Sequence, residues 1–249
     1  MTVHFDPTSD MPPPSAGTFI RHDRLSATHL RTPSTLRPQA IVNPPREHEI
    51  YRKFGKRLLD ITLVLIAAPM VILIVALLAL GTALDGSNPF YCQVRVGRSG
   101  RLYRMWKLRS MVVDADARLE SYLAENPLAR AEWDSTQKLK SDPRITWFGR
   151  ILRKSSMDEL PQMWNVLKGD MSLVGPRPMM PCQQAIYPGE AYYQLRPGIT
   201  GPWQVSRRNE STFADRAQFD HDYAQTQSFA TDAKLLVATV RVVLHATGY

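Results

Sequence analysis

Two adjacent carboxylates, Asp158 and Glu159, stand in the densest run of chemistry-bearing residues in the chain, Asp142 to Pro178, and Leu160-Pro161 follows them directly. Adjacent side chains on a helix diverge by ~100°, so the pair does not form a proton-sharing dyad of the aspartic-protease kind. The two can still serve one site if one attacks or abstracts while the other holds a cation. Their company is basic: Arg144, Arg150, Arg153, Lys154, Lys168, Arg177 and Arg196. Arginine's planar fork suits bidentate phosphate binding. Gly175-Pro176-Arg177-Pro178 and Arg196-Pro197-Gly198-Ile199-Thr200-Gly201 are rigid turns that each present one arginine. A carboxylate nucleophile, a hard-cation ligand and phosphate-binding arginines together suit phosphoryl transfer through an aspartyl-phosphate type of intermediate. The competing structural role is a helix start, capped by Ser155 or Ser156 and favoured by acidic residues in its first turn.

Other chemistries find less support. The chain has no G-x-x-x-x-G-K-S/T loop and no G-x-G-x-x-G after a strand, and none of its six histidines falls in the dense region. Cys92 and Cys182 are far apart, without metal-ligand spacing, and too few for a disulfide-stapled fold, which points to a reducing compartment. The net charge of +8 over 249 residues favours anionic partners. No nucleic-acid recognition motif accompanies it, so no nucleic-acid partner is expected.

The elements that must position these residues can be read in order. Residues 1–45 carry eight prolines and no apolar period, which predicts a disordered tail. Leu58 to Leu80 is an apolar run with one charge, Asp60. A straight helix of that length reaches ~35 Å, enough to cross a ~30 Å hydrocarbon core. Pro69 interrupts its middle, and basic residues flank both sides: Arg46, Arg52, Lys53, Lys56 and Arg57 before, Arg95, Arg98, Arg101, Arg104, Lys107 and Arg109 after. The positive-inside bias holds both flanks on the cytoplasmic side, so a helix broken at Ala68-Pro69 that dips in and returns is the expectation. Phe90–Val96 and Leu102–Leu108, joined by Gly97-Arg98-Ser99-Gly100, read as a hairpin. A polar helical stretch over 112–134 is interrupted at Asn126-Pro127; short amphipathic pieces over 145–152 and 157–167 and a helix over 233–246 follow.

At this point the motifs are specific enough to compare. KRLLD opening the apolar run, its central proline, QVRVGRSGRLYRMWKLRSM, DPRITWFGRILRKSSMDELPQMWNVLKGDMSLVGPRPM and LRPGITGPWQVSRRNE make the chain resemble the bacterial sugar transferases, the monotopic polyprenyl-phosphate phosphoglycosyl transferases. The one departure noted is Ala68, where many relatives have serine before the proline. The resemblance implies an α+β, mostly helical fold. It would comprise a re-entrant helix-break-helix membrane segment (46–84), a compact cytoplasmic catalytic domain with amphipathic interfacial helices and a small β-hairpin (85–249), and the tail (1–45). It implies transfer of a hexose 1-phosphate from a UDP-sugar, galactose or glucose, to undecaprenyl phosphate, initiating exopolysaccharide synthesis at the cytoplasmic face of the bacterial inner membrane. By position, Asp158 matches the nucleophile and Glu159 the partner associated with Mg²⁺. Arg153 matches a lipid-phosphate contact, and Lys107, Arg109, Arg177 and Arg196 match basic positions near the donor. Membrane lipid is the expected surroundings, a homodimer is left open, and a single apolar segment suggests the minimal catalytic form. The alternative is a non-catalytic membrane adaptor that recruits a glycan-assembly complex through its basic face.

Overall fold

The apolar run forms one helix. In a computed structural model describing residues 48–84, 87–136, 139–206 and 213–244, a π-helical turn at Tyr51–Gly55 leads directly into α1, Lys56–Ala83, which contains Pro69. The interruption expected at Ala68-Pro69 is therefore not a break in secondary structure. Proline withdraws one backbone donor, and the apolar residues on either side stay helical around that single loss. By length and composition the helix could cross a membrane. The proline-rich tail expected over 1–45 lies outside the described residues.

Both ends of α1 dock on the same unit. Near its start, Arg57 donates to the carbonyls of Val166 and Leu167, and Asp60 Oδ1 accepts from Leu173 N at 3.1 Å. Val64 completes a core with Tyr103, Met105, Val166 and Met171. Near its end, Arg109 Nη2 donates to Thr82 O at 3.1 Å, and the Phe148 ring lies against Gly81. Between these attachments Leu65, Ile66, Met70, Leu73, Leu77 and Leu80 are exposed. An exposed apolar stretch of this extent marks a protein–protein or membrane interaction surface.

The hairpin forms with the limits expected from sequence. β1 (Phe90–Val96) and β2 (Leu102–Leu108) pair antiparallel from Phe90↔Leu108 to Val96↔Leu102. Directly opposed residues share a face, so Lys107, Met105 and Tyr103 lie on one side with Tyr91, Gln93 and Arg95. Met105 and Tyr103 enter the core there, and Lys107 is left at the open end.

Helices α2 (Ala115–Glu125) and α3 (Pro127–Thr136) meet at the expected Asn126-Pro127 break. Next come α4 (Trp147–Ser155), a 3-10 turn at Met157–Glu159, and α5 (Gln162–Lys168). A second sheet not read from the sequence pairs β3 (Ser172–Val174) parallel with β4 (Gly198–Thr200). It joins the two arginine turns through their backbones: a Cβ on Gly198 would lie 2.1 Å from Gly175 N. Short helices α6 (Ala191–Gln194) and α7 (Pro202–Ser206), then α8 (Arg216–Thr226) and α9 (Phe229–Leu244), complete the order. Leu235 and Leu236 of α9 pack on Val174, Ala191, Leu195 and Tyr223, while Val237 and Val240 face outward.

A buried polar knot ties α1 to this frame. Lys56 Nζ lies 3.0 Å from Asp232 Oδ2 and 3.3 Å from Asp60 Oδ1. Asp232, fully buried on α9, also accepts from the hydroxyls of Tyr51 and Tyr223. Removing the shared acceptor strands three donors in a low-dielectric site. Asp232→Ala is expected to cost about 3 kcal/mol and to lower the thermal midpoint in detergent, with Asp232→Asn costing less.

Candidate active site

The carboxylates occupy a tight elbow between α4 and α5. Thr146 caps α4, its hydroxyl accepting from Gly149 N at 2.9 Å. At the other end Ser156 adopts the left-handed conformation (φ 57°), which throws the chain into the 3-10 turn carrying Asp158 and Glu159. A non-glycine residue in that region carries strain that the surrounding structure must hold, a pattern concentrated at functional sites. The side-chain caps considered for Ser155 and Ser156 are not made. Ser155 Oγ donates backward to Ile151 O at 2.8 Å, and Ser156 sits at the cap position without a side-chain hydrogen bond.

Two contacts hold this elbow against the hairpin. Asn165 of α5, fully buried, presents its amide to the edge of β2: Oδ1 accepts from Trp106 N at 3.1 Å and Nδ2 donates to Arg104 O at 2.7 Å. At α4, Gly149 is pressed so closely on Ser110 that a Cβ would lie 2.0 Å from the Ser110 carbonyl oxygen. Strand and elbow thus meet with Lys107 pointing at the turn.

Lys107 joins the pair. Its Nζ lies 2.7 Å from Glu159 Oε1 and 3.7 Å from Asp158 Oδ2, so adjacent carboxylates that diverge along the backbone are gathered by one ammonium. Arg153, one turn earlier, donates from Nε to Ser110 Oγ at 2.9 Å, and its charge acts on both Asp158 and Glu159. Behind it, Arg144 makes a fork–fork pair with Asp142, at 2.8 Å from Nε to Oδ1 and 2.7 Å from Nη2 to Oδ2.

Burial pushes the Asp158 carboxyl above its usual range. Lys107 and Arg153 work against that rise, while Glu159 adds to it. The result is a carboxylate more basic than usual, facing two cations that stabilise its ionised form.

The other expected substrate-binding arginines have different partners. Arg109 donates from Nε to Asn88 O at 2.9 Å and to Thr82 O, pinning the end of α1 to the hairpin. Arg196 Nε donates to Gly169 O at 3.0 Å, and with Arg57 it neutralises the C-terminal carbonyls of α5. Arg177 lies over the Trp203 ring at 5.5 Å, beside Arg95 and Arg216. Ser110, Asn165 and the pairing of Asp142 with Arg144 escaped the sequence reading, which counted Arg144 only among the basic residues around the carboxylates. Asp142 and Arg144 lie within a quoted motif, but nothing in their types separates an orienting pair from a solvated one.

A mostly helical unit with two small sheets, one long apolar helix and a cation-bridged carboxylate pair is compatible with a partly membrane-associated α+β protein. The family described as bacterial sugar transferase matches residues 51–246, and this chain belongs to it. A UDP-galactose-lipid carrier transferase of Erwinia amylovora is 43% identical over 198 residues, covering 79% of this chain and 42% of that protein. An undecaprenyl-phosphate galactose phosphotransferase of Salmonella typhimurium is 44% identical over 202 residues, covering 79% and 42%. The exopolysaccharide production protein ExoY of Sinorhizobium fredii is 37% identical over 213 residues, covering 82% and 93%. The chain therefore spans about two fifths of the length of the first two relatives and nearly all of the third.

The raised Asp158 pKa has a consequence for stability. Because the folded value lies above the unfolded one, the favourable contribution of this group is fully present below the unfolded pKa and is lost as pH rises through the folded pKa. Asp158→Asn is therefore expected to raise the thermal midpoint at pH 7.5 and to have no such effect near pH 3. Melting curves of both proteins at the two pH values check this.

Proposed function

We propose that this chain transfers a hexose 1-phosphate from a UDP-sugar, with galactose or glucose as the sugar, to undecaprenyl phosphate through a covalent aspartyl-phosphosugar. The observation that carries this reading is the Lys107-bridged Asp158–Glu159 pair, its nucleophile candidate desolvated and more basic than usual. Membership of the sugar transferase family and the names of the relatives, which include UDP-galactose and undecaprenyl phosphate, support the substrate class.

The chemistry is two displacements at one phosphorus. An Asp158 carboxylate oxygen attacks the donor's β-phosphorus, the bond from that phosphorus to the bridging oxygen breaks, and UMP leaves with the electron pair. A phosphate oxygen of undecaprenyl phosphate then attacks the same phosphorus, and the bond to Asp158 breaks to regenerate the carboxylate. Lys107 and Arg153 hold Asp158 ionised before each attack and oppose the negative charge gathered around the phosphorus. Arg153, half-buried on α4, would also contact the acceptor's phosphate, the role its position in the family motif implies.

The donor set here suits Mg²⁺. Asp158 and Glu159 are two carboxylates without a third acidic, histidine or cysteine neighbour among the described residues, and Mg²⁺ is commonly held by one or two carboxylates, water and substrate phosphates. Glu159, the more exposed of the pair, would hold it. When bound, the ion supplies charge neutralisation to the diphosphate.

One substrate is water-soluble and the other anchored in lipid, which requires the site to lie at the membrane surface, here the cytoplasmic face of the inner membrane. Attachments near both ends of α1 to the same unit, with exposed apolar residues between them, support a path that enters and leaves the membrane on one face, its turn falling at Pro69. The outward-facing Trp147 and Ile151 of α4, beside exposed Arg150 and Lys154, suit an interfacial helix.

Asp158→Asn is expected to lower transfer by about 10³-fold or more and to abolish the labelled covalent adduct; turnover retained with this variant rules the mechanism out. Lys107→Gln should shift the acidic limb of the pH–activity profile upward, because the cation that lowers the Asp158 pKa is gone; an unmoved limb contradicts the assigned role. For topology, Leu84→Cys in a background with Cys92 and Cys182 replaced by serine should resist a membrane-impermeant maleimide applied to the periplasmic side. Labelling there sinks the re-entrant path.

A further inference from the structure

Gln162, the first residue of α5, is 2% exposed, and its Nε2 is enclosed without a hydrogen-bond partner among the described residues. A buried amide donor left unpaired is destabilising, and one that persists in a folded protein calls for a catalytic role, stored strain or a partner that arrives later.

The chain around it narrows the choice. Leu160 N donates to Met157 O at 3.3 Å, Met163 N to Leu160 O at 3.1 Å and Trp164 N to Pro161 O at 3.1 Å. Leu160 and Pro161 both have right-handed helical dihedrals, so the elbow turn and α5 form one continuous helical path. Gln162 lies one turn beyond the carboxylates on that path. Helical side chains lean toward the N-terminus, over the positions three and four residues earlier. Those positions are Glu159 and Asp158. Asn165, one turn later, bonds the edge of β2. Gln162 therefore sits between that lock and the carboxylates, on the side from which Lys107 reaches in.

Of the two carboxylates, one is short of donors. Glu159 Oε1 has Lys107 Nζ at 2.7 Å. Asp158 is buried, and Lys107 Nζ stands 3.7 Å from its Oδ2, beyond hydrogen-bond reach. Among the described residues no side chain donates a hydrogen bond to Asp158; its own backbone N–H does. A buried acceptor without a side-chain donor thus stands one turn from a buried donor without an acceptor. Glutamine and aspartate at this helical spacing can hydrogen-bond, so a side-chain rotation closes the gap. Because Nε2 is enclosed, its partner comes from the protein and not from a ligand.

We propose that Gln162 is a positioning residue whose Nε2 donates to Asp158 Oδ1 when a nucleotide sugar occupies the elbow, turning the carboxylate so that Oδ2, on the Lys107 side, faces the phosphorus. This rests on the transferase reading above and deepens it. A nucleotide sugar entering the elbow shields Asp158 from water, and the carboxylate then takes the side-chain donor within reach. No bond to Gln162 forms or breaks during transfer. Its amide is neutral, so it fixes the direction of attack and leaves the opposing of charge to Lys107 and Arg153. The unpaired donor of the empty site is strain that the loaded site relieves.

The test uses the purified full chain in detergent with labelled UDP-galactose or UDP-glucose, read as steady-state kinetics and as single-turnover formation of the labelled adduct. Gln162→Met keeps the length of the side chain and removes the donor. It should lower kcat and the rate of adduct formation by about 10- to 100-fold and leave the KM for the nucleotide sugar unchanged. Its melting midpoint without substrate should equal or exceed the parent's, because the unpaired buried donor is gone. A purely structural glutamine gives the opposite pattern, a lowered midpoint with kcat retained. Gln162→Asn keeps the amide one methylene short of Asp158 and should likewise lose kcat at unchanged KM. A kcat matching the parent's in either variant overturns the proposal, as does a loss of kcat in both that follows a lowered melting midpoint. Failure of the transferase reading is distinct: the parent then forms no adduct with either sugar, or the adduct survives Asp158→Asn, and the role assigned to Gln162 falls with it.

Discussion

The ammonium of Lys107 between two adjacent carboxylates is the contact around which the molecule is arranged. Lys107 comes from the open end of a hairpin, and the carboxylates from a strained elbow between helices, so the contact exists only if strand and elbow are locked in register. Asn165 supplies that lock by extending the hydrogen-bonding edge of β2 through a side-chain amide. Gly149 supplies the second, letting α4 rest on the backbone of Ser110 and bringing Arg153 to the Ser110 hydroxyl. Displacing either would separate a cation from a carboxylate that burial disfavours as an ion.

The electrostatics divide by partner. Arg153 and Lys107 act on the Asp158 and Glu159 carboxylates. Arg57 and Arg196 serve backbone carbonyls at the end of α5, and Arg109 serves the end of α1. Arg177 and Arg216 stack on Trp203, and Arg95 donates to Gln93 and to the Pro178 carbonyl. A formal excess of positive charge that composition reports as one number is thus made of groups with different partners and different chemical uses.

Much of this was legible in the sequence, for reasons that can be stated. The hairpin limits follow from apolar–polar alternation around a turn with two glycines, and the break at Asn126-Pro127 from proline's place at a helix start. The apolar helix was legible, but its continuity through Pro69 was not, because sequence rules describe the lost hydrogen bond and not the neighbours that tolerate it. The β3–β4 pair was invisible: three-residue strands carry no period, and their pairing depends on two glycine turns 23 residues apart in the chain meeting backbone to backbone. At the site, the residue types pointed to Asp158, Glu159 and Arg153, while Lys107 entered only through the resemblance to the family. Ser110 and Asn165 gave no signal, since a buried serine or asparagine acquires its role from the partner that tertiary packing provides.

Val64 lies in the same core as Met105 and Val166, and Lys56 and Asp60 belong to a buried polar knot closed by α9. The apolar helix is therefore not a detachable tether. Cutting it away would open the interior of the unit it docks on, and grafting another hydrophobic helix in its place would have to reproduce the face that meets α5, β3 and α9. Solubility by truncation is closed to such an architecture, and the helix and the unit beneath it form a single indivisible module.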